Sequence, residues 1–155
     1  MDEMEQIIVQ IAETYKKPDE FIYNLKKSFK IPPNEKGNFF LQVGVILYKF
    51  SYFHLALHIW DHALKCFTEE HDREGELRCR INLGNVYSRL GDLKRAIEYH
   101  KESLERTKEL GDRYGETACY MNLGIVYCRL GNFKKAISCY EKSLEIDREL
   151  GDRYG

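Results

Sequence analysis

The sequence has no apolar run approaching the roughly 20 residues a helix needs to cross a bilayer, and its opening Met1-Asp2-Glu3 does not read as a signal peptide. Neither charge is in excess: 24 Lys and Arg against 25 Asp and Glu leave a formal net charge of −1. A surface built for nucleic acid or anionic lipid needs a basic surplus, so neither partner is expected. Only three prolines and no low-complexity tract occur in 155 residues, which argues against a disordered region. The five cysteines are odd in number and form no Cys-x-x-Cys pair, the usage of a reduced chain rather than a disulfide framework. A cytoplasmic location follows as the expectation. Catalytic signatures are missing too: no phosphate-binding glycine loop, no nucleophile elbow, no His-Glu-x-x-His and no pair of acids in an apolar setting. No enzyme activity and no cofactor are expected.

What the chain does have is a copy of itself. Residues 73–112 and 113–152 match at 22 of 40 positions. Gly-Glu (75–76, 115–116), Cys79/Cys119, Asn-Leu-Gly (82–84, 122–124), Arg-Leu-Gly (89–91, 129–131) and Ser-Leu-Glu (103–105, 143–145) all recur. A fixed period of 20–50 residues marks stacked units that complete their cores against one another. Within one copy, Ile81, Leu83, Gly84, Val86, Tyr87 and Leu90 form a stripe at helical spacing. Gly91 supplies a left-handed stop and Asp92 a cap for the next helix. A second stripe follows at Leu93, Ala96, Ile97, His100, Leu104 and Leu110. Helices are predicted over about 73–90, 93–110, 113–130 and 133–150, with the same stop-and-restart at Gly111-Asp112, Gly131-Asn132 and Gly151-Asp152. Nothing alternates with the period of a strand.

A worn copy occupies 33–72, with Gly44, Ala56, Leu64, Glu69 and Asp72 in register with Gly84, Ala96, Leu104, Glu109 and Asp112. Its inner turn, Phe50-Ser51-Tyr52-Phe53, has no glycine and is predicted to be less sharp. His71 replaces the linker glycine, so that corner is expected to be made differently. Pro32-Pro33 and Asn34 punctuate the start, Asn34 as a cap. Upstream, two shorter helices at 3–15 and 18–30 read as a degenerate repeat or N-terminal cap. The expected organisation is 1–32, 33–72, 73–112 and 113–152, with 153–155 beginning a truncated further unit.

These residues resemble the tetratricopeptide repeat family. Its pattern is met by Leu83-Gly84, Tyr87, Gly91-Asp92, Ala96, His100 and Ser103, and again by Leu123-Gly124, Tyr127, Gly131-Asn132, Ala136, Tyr140 and Ser143. Two positions depart from it: Arg80 stands where Tyr120 supplies the early aromatic, and His100 replaces a later one. The 40-residue period is similar to that of Partner-of-Inscuteable-type scaffolds. The resemblance implies an all-α fold, a right-handed superhelix of stacked antiparallel helix pairs, in which first helices line a concave groove that holds a segment of another protein.

Register then places the groove residues. They are Asn38, Leu41, Gln42, Val45, Tyr48 and Lys49 in the first unit, and Arg78, Ile81, Asn82, Asn85, Ser88 and Arg89 in the second. Ala118, Met121, Asn122, Ile125, Cys128 and Arg129 follow in the third. Leu41, Ile81 and Met121 would be apolar anchors, and Gln42, Asn82 and Asn122 would pair with a peptide backbone, or Asn82 and Asn122 would instead cap or brace neighbouring helices. Lys49, Arg89 and Arg129 would meet acidic side chains, or instead favour their own helix C-termini. The implied ligand is an extended or helical, acidic and apolar segment.

His54, His58 and His62 fall at i, i+4 and i+8, a spacing that can chelate zinc. The equivalent Lys94, Glu98 and Glu102 mark that face as solvated, so no metal is expected. The 133–150 helix is expected to leave Phe133, Ile137, Tyr140, Leu144 and Leu150 partly uncovered. That suggests a truncated array, or alternatively a structural module that forms a homo-oligomer through this helix.

Overall fold

The computed structural model describes residues 1–154, and every regular element in them is helical. The order is α1 (Glu3–Thr14), α2 (Pro18–Ser28), a 3₁₀ turn (Pro33–Glu35), α3 (Lys36–Lys49), α4 (Phe53–Glu69), α5 (Arg73–Leu90), α6 (Leu93–Leu110), α7 (Arg113–Arg129) and α8 (Phe133–Tyr154). The helix starts follow from capping chemistry. Asp2 makes a capping box with Glu5, and Pro18 opens α2 at a position where no donor is lost. Asp72, Asp92, Asp112 and Asn132 each accept from the backbone N–H three residues on. Asn34 does not cap α3 as expected. It lies in the 3₁₀ turn, and Glu35 precedes α3 without a side-chain bond.

The helix ends share one backbone solution. Gly91, Gly111 and Gly131 are left-handed, and so are Ser51 at φ 65° and His71 at φ 56°. At each corner the next N–H reaches back five residues: Tyr52 to the Leu47 carbonyl (2.8 Å), Asp72 to Phe67 (2.9 Å) and Asp112 to Thr107 (2.9 Å). This is the Schellman arrangement, which satisfies carbonyls left over at a helix end. The expectation of different or looser corners at 50–53 and at His71 is therefore corrected. The hydrogen bonds and the following helix impose the sharp turn even where a side chain opposes it. Gly151 is the opposite correction: α8 runs through it to Tyr154, and the expected stop there is absent.

The chain divides into two compact units, residues 1–79 and 80 onward. In the first, α1 packs on α2 and α3, and α2 and α3 on α4. Ile8, Phe21, Leu25, Phe40, Val43, Leu47, Ile59, Trp60 and Phe67 form its buried interior. In the second, Leu104, Cys119, Leu123, Tyr127 and Ala136 form a core, with Ile81, Ile97, Tyr120 and Tyr140 packed against it. Glycine recurs where helices cross. A Cβ on Gly44 would lie 2.2 Å from the Trp60 ring, on Gly84 2.6 Å from His100 and on Gly124 2.5 Å from Tyr140. One bulky ring thus sits on one bare backbone in each of the hairpins α3–α4, α5–α6 and α7–α8.

Candidate functional site

α7 has two unlike sides. At about 3.6 residues per turn, Ala118, Met121, Asn122, Ile125 and Arg129 share one side, while Leu123 and Tyr127 turn the other into the core. Met121 and Ile125 stand one turn apart and are each 47% exposed. Asn122 is half-buried between them, and Ala118 is exposed a turn earlier. In the same unit, Asn82 and Asn85 of α5 are half-buried, as is Ile81, which leans on the core. Arg89 is exposed at the end of α5. Cys128 is half-buried, its sulfur 3.9 Å from the Tyr140 hydroxyl.

Arg129 departs from the role given to it. Its guanidinium donates to the Ser88 carbonyl and, at 2.7 Å, to the Ser88 hydroxyl. It therefore caps the C-terminal end of α5, where a cation meets the negative pole of the helix. An acidic ligand would have to compete with that bond.

In the other unit the positions are equally mixed. Leu41 is a correction: it is buried, and its carbonyl accepts from Trp60 Nε1 at 3.1 Å. Gln42 is exposed and Val45 is 50% exposed. Tyr48 is half-buried between Phe53 and Trp60, with ring centroids at 5.3 and 5.7 Å. Lys49 is exposed but donates to Glu5 Oε1 at 2.9 Å, and this bond holds the Glu5 carboxyl below its ordinary pKa. Arg78 is exposed and donates to Asn38 Oδ1 at 3.3 Å. Glu5 was not legible as a partner, because it lies 44 residues from Lys49 and outside the repeated pattern.

Of the histidine series, His54 and His58 are exposed, while His62 sits edge-on to Phe40 with centroids 4.5 Å apart. Burial, reinforced by Lys26 and Lys65, lowers the His62 pKa. His62 is thus a packing residue, not part of a uniformly solvated face. Among the described residues no cluster of three or more His, Cys, Asp or Glu is arranged to hold a metal. His100 is buried, and desolvation lowers its pKa to about 4. All five cysteines are free, and burial pushes the Cys119 thiol up to about 11. Among the described residues no helix is long and apolar enough to cross a membrane.

Two tetratricopeptide repeat family models match, over residues 38–109 and 117–150. The chain carries tetratricopeptide repeats. Solved structures with this repeat fold resemble it at low identity. The tetratricopeptide repeat domain of Arabidopsis FLU is 24% identical, with a TM-score of 0.69 over 74% of this chain and 96% of that one. The apo form of RapI is 27% identical, with a TM-score of 0.73 over 88% of this chain and 40% of RapI. The Rap conjugation gene regulator of plasmid pLS20, solved with the Phr* peptide, is 17% identical, with a TM-score of 0.69 over 92% of this chain and 39% of the regulator. The chain thus spans well under half of either Rap protein. No curated protein sequence gives a significant match.

Proposed function

We propose that this repeat protein is a non-catalytic interaction scaffold that holds an extended segment of another protein against the Met121–Ile125 side of α7. The observation that carries the reading is the exposure of those two apolar side chains beside Asn122, on a helix whose opposite side is closed by core. Apolar surface of this kind drives association when a partner covers it, and Asn122 offers a donor and an acceptor to a peptide backbone. The exposed Arg89, in the same unit, suits acidic residues in the ligand. The pLS20 regulator, solved with a peptide, supports a peptide ligand by analogy of fold. The 40-residue spacing, similar to that of Partner-of-Inscuteable-type scaffolds, supports a protein ligand of the same kind. Five free thiols suit the reducing cytoplasm.

A display library of unstructured peptides, selected against the native chain and rebound to Met121→Glu/Ile125→Glu, tests this. Selection of acidic, apolar sequences that bind the variant at least tenfold more weakly is the expected result. Equal binding to both proteins overturns it. A second reading, self-association, is favoured by one feature: Phe133, Ile137 and Leu144 on α8 are 63%, 56% and 55% exposed along one stripe. Tyr140 is partly uncovered as expected, but Leu150, expected to join them, is not. Tyr140 packs over Gly124, and Leu150 is buried.

A further inference from the structure

Behind the Met121–Ile125 side, α6, α7 and α8 line a solvent-open cleft of about 500 Å³, within the volume range of small-molecule sites. Its floor is apolar, made by Leu104, Leu123 and Tyr127, all nearly buried. Its rim is cationic. Lys108 from α6 and Lys142 from α8 bring their ammonium groups to 5.8 and 5.5 Å from the centre of the Tyr120 ring, and Lys101 stands on the same edge. Of the two carboxylates present, Glu105 pairs with Lys108 at 3.5 Å and Glu102 is held by Arg80 at 2.9 Å. Among the described residues Lys101 and Lys142 have no ion pair. Two like charges thus converge on one ring with a counter-ion for only one of them. An anion between them gains attraction from both.

We propose that this cleft binds a compact anionic amphiphile, a carboxylate on an unbranched aliphatic tail, with the tail on the apolar floor and the carboxylate between Lys108 and Lys142. The lining favours this over an extended peptide. Its polar groups sit on the rim, while the Leu104 and Leu123 side chains of the floor offer the amides of a buried peptide no hydrogen-bond partner. An aliphatic tail has no such groups to satisfy. A nucleic acid would leave the apolar floor unused.

Decanoate, decan-1-ol and acetate titrated separately into the isotopically labelled full chain, followed by NMR, provide the test. Decanoate is expected to saturate, shifting signals of Leu104, Leu123 and Tyr127, with decanol and acetate at least tenfold weaker. Lys108→Gln/Lys142→Gln, both exposed and so compatible with folding, is expected to weaken decanoate binding at least tenfold. Decanol binding as tightly as decanoate, shifts confined to Met121 and Ile125, or full affinity in the variant would each overturn the proposal. The decanol and shift-mapping arms use the native protein and do not depend on the variant folding.

Discussion

His100 occupies the ring slot that Trp60 and Tyr140 fill in the other hairpins, and it alone of the three can gain a positive charge. Its Nδ1 is buried with no hydrogen-bond partner, so nothing compensates a proton placed there. The folded value of about 4 lies below the ordinary 6.5. The unfolded chain therefore takes up the proton first as pH falls. The stability associated with neutral His100 is complete above about pH 6.5 and declines as pH falls towards 4. The total is on the order of 3 kcal/mol for a shift of this size. Urea midpoints at pH 7 and pH 4.5 should show this loss, and His100→Phe should lose at least 1 kcal/mol less over the same interval. Equal losses in both proteins would mean that other groups govern acid unfolding. The slot itself was legible in the sequence, since position 100 aligns with Tyr140 forty residues on. Its desolvation was not, because it depends on Gly84 admitting the ring against bare backbone.

The helices were the most legible part of the chain. The period of the apolar stripe and the Asp or Asn caps set α5 to α7 almost residue for residue. The corners were less so, because composition suggested that Ser51 and His71 could not do the work of glycine. A non-glycine residue in the left-handed region costs about 1–2 kcal/mol, and here the Schellman bonds and packing outweigh that cost. His71→Gly and Ser51→Gly remove the steric term but add freedom to the unfolded chain, which costs about 0.5–1 kcal/mol. Each is expected to stabilise the protein by about 0.5 kcal/mol, read as a higher urea midpoint with unchanged slope. A lower midpoint would show that either side chain makes a contact worth more than its strain.

For the whole chain, the repeat pattern identified the fold, but register alone could not separate surface from interior at each groove position. Leu41 and Met121 are equivalent by alignment, yet one is buried and the other is not. Lys49 and Arg129 are equivalent too, but one reaches Glu5 and the other Ser88. Those differences arise from neighbours that do not repeat. The exposed α8 stripe bears on the behaviour of the molecule in solution. Light scattering across a concentration series should show self-association of the native chain, and Ile137→Glu/Leu144→Glu should return it to a monomer. A native chain that stays monomeric throughout removes the self-association reading.

The Arg129 bond to Ser88 also bears on how such a protein can be lengthened. Its anchor includes a main-chain carbonyl, which every residue provides whatever its side chain. A further block spliced in after 113–152 would carry its own arginine to the carbonyl of Cys128 without any new complementary mutation. Growth by duplication would therefore keep the pitch between successive hairpins from the first generation, before selection had acted on the junction.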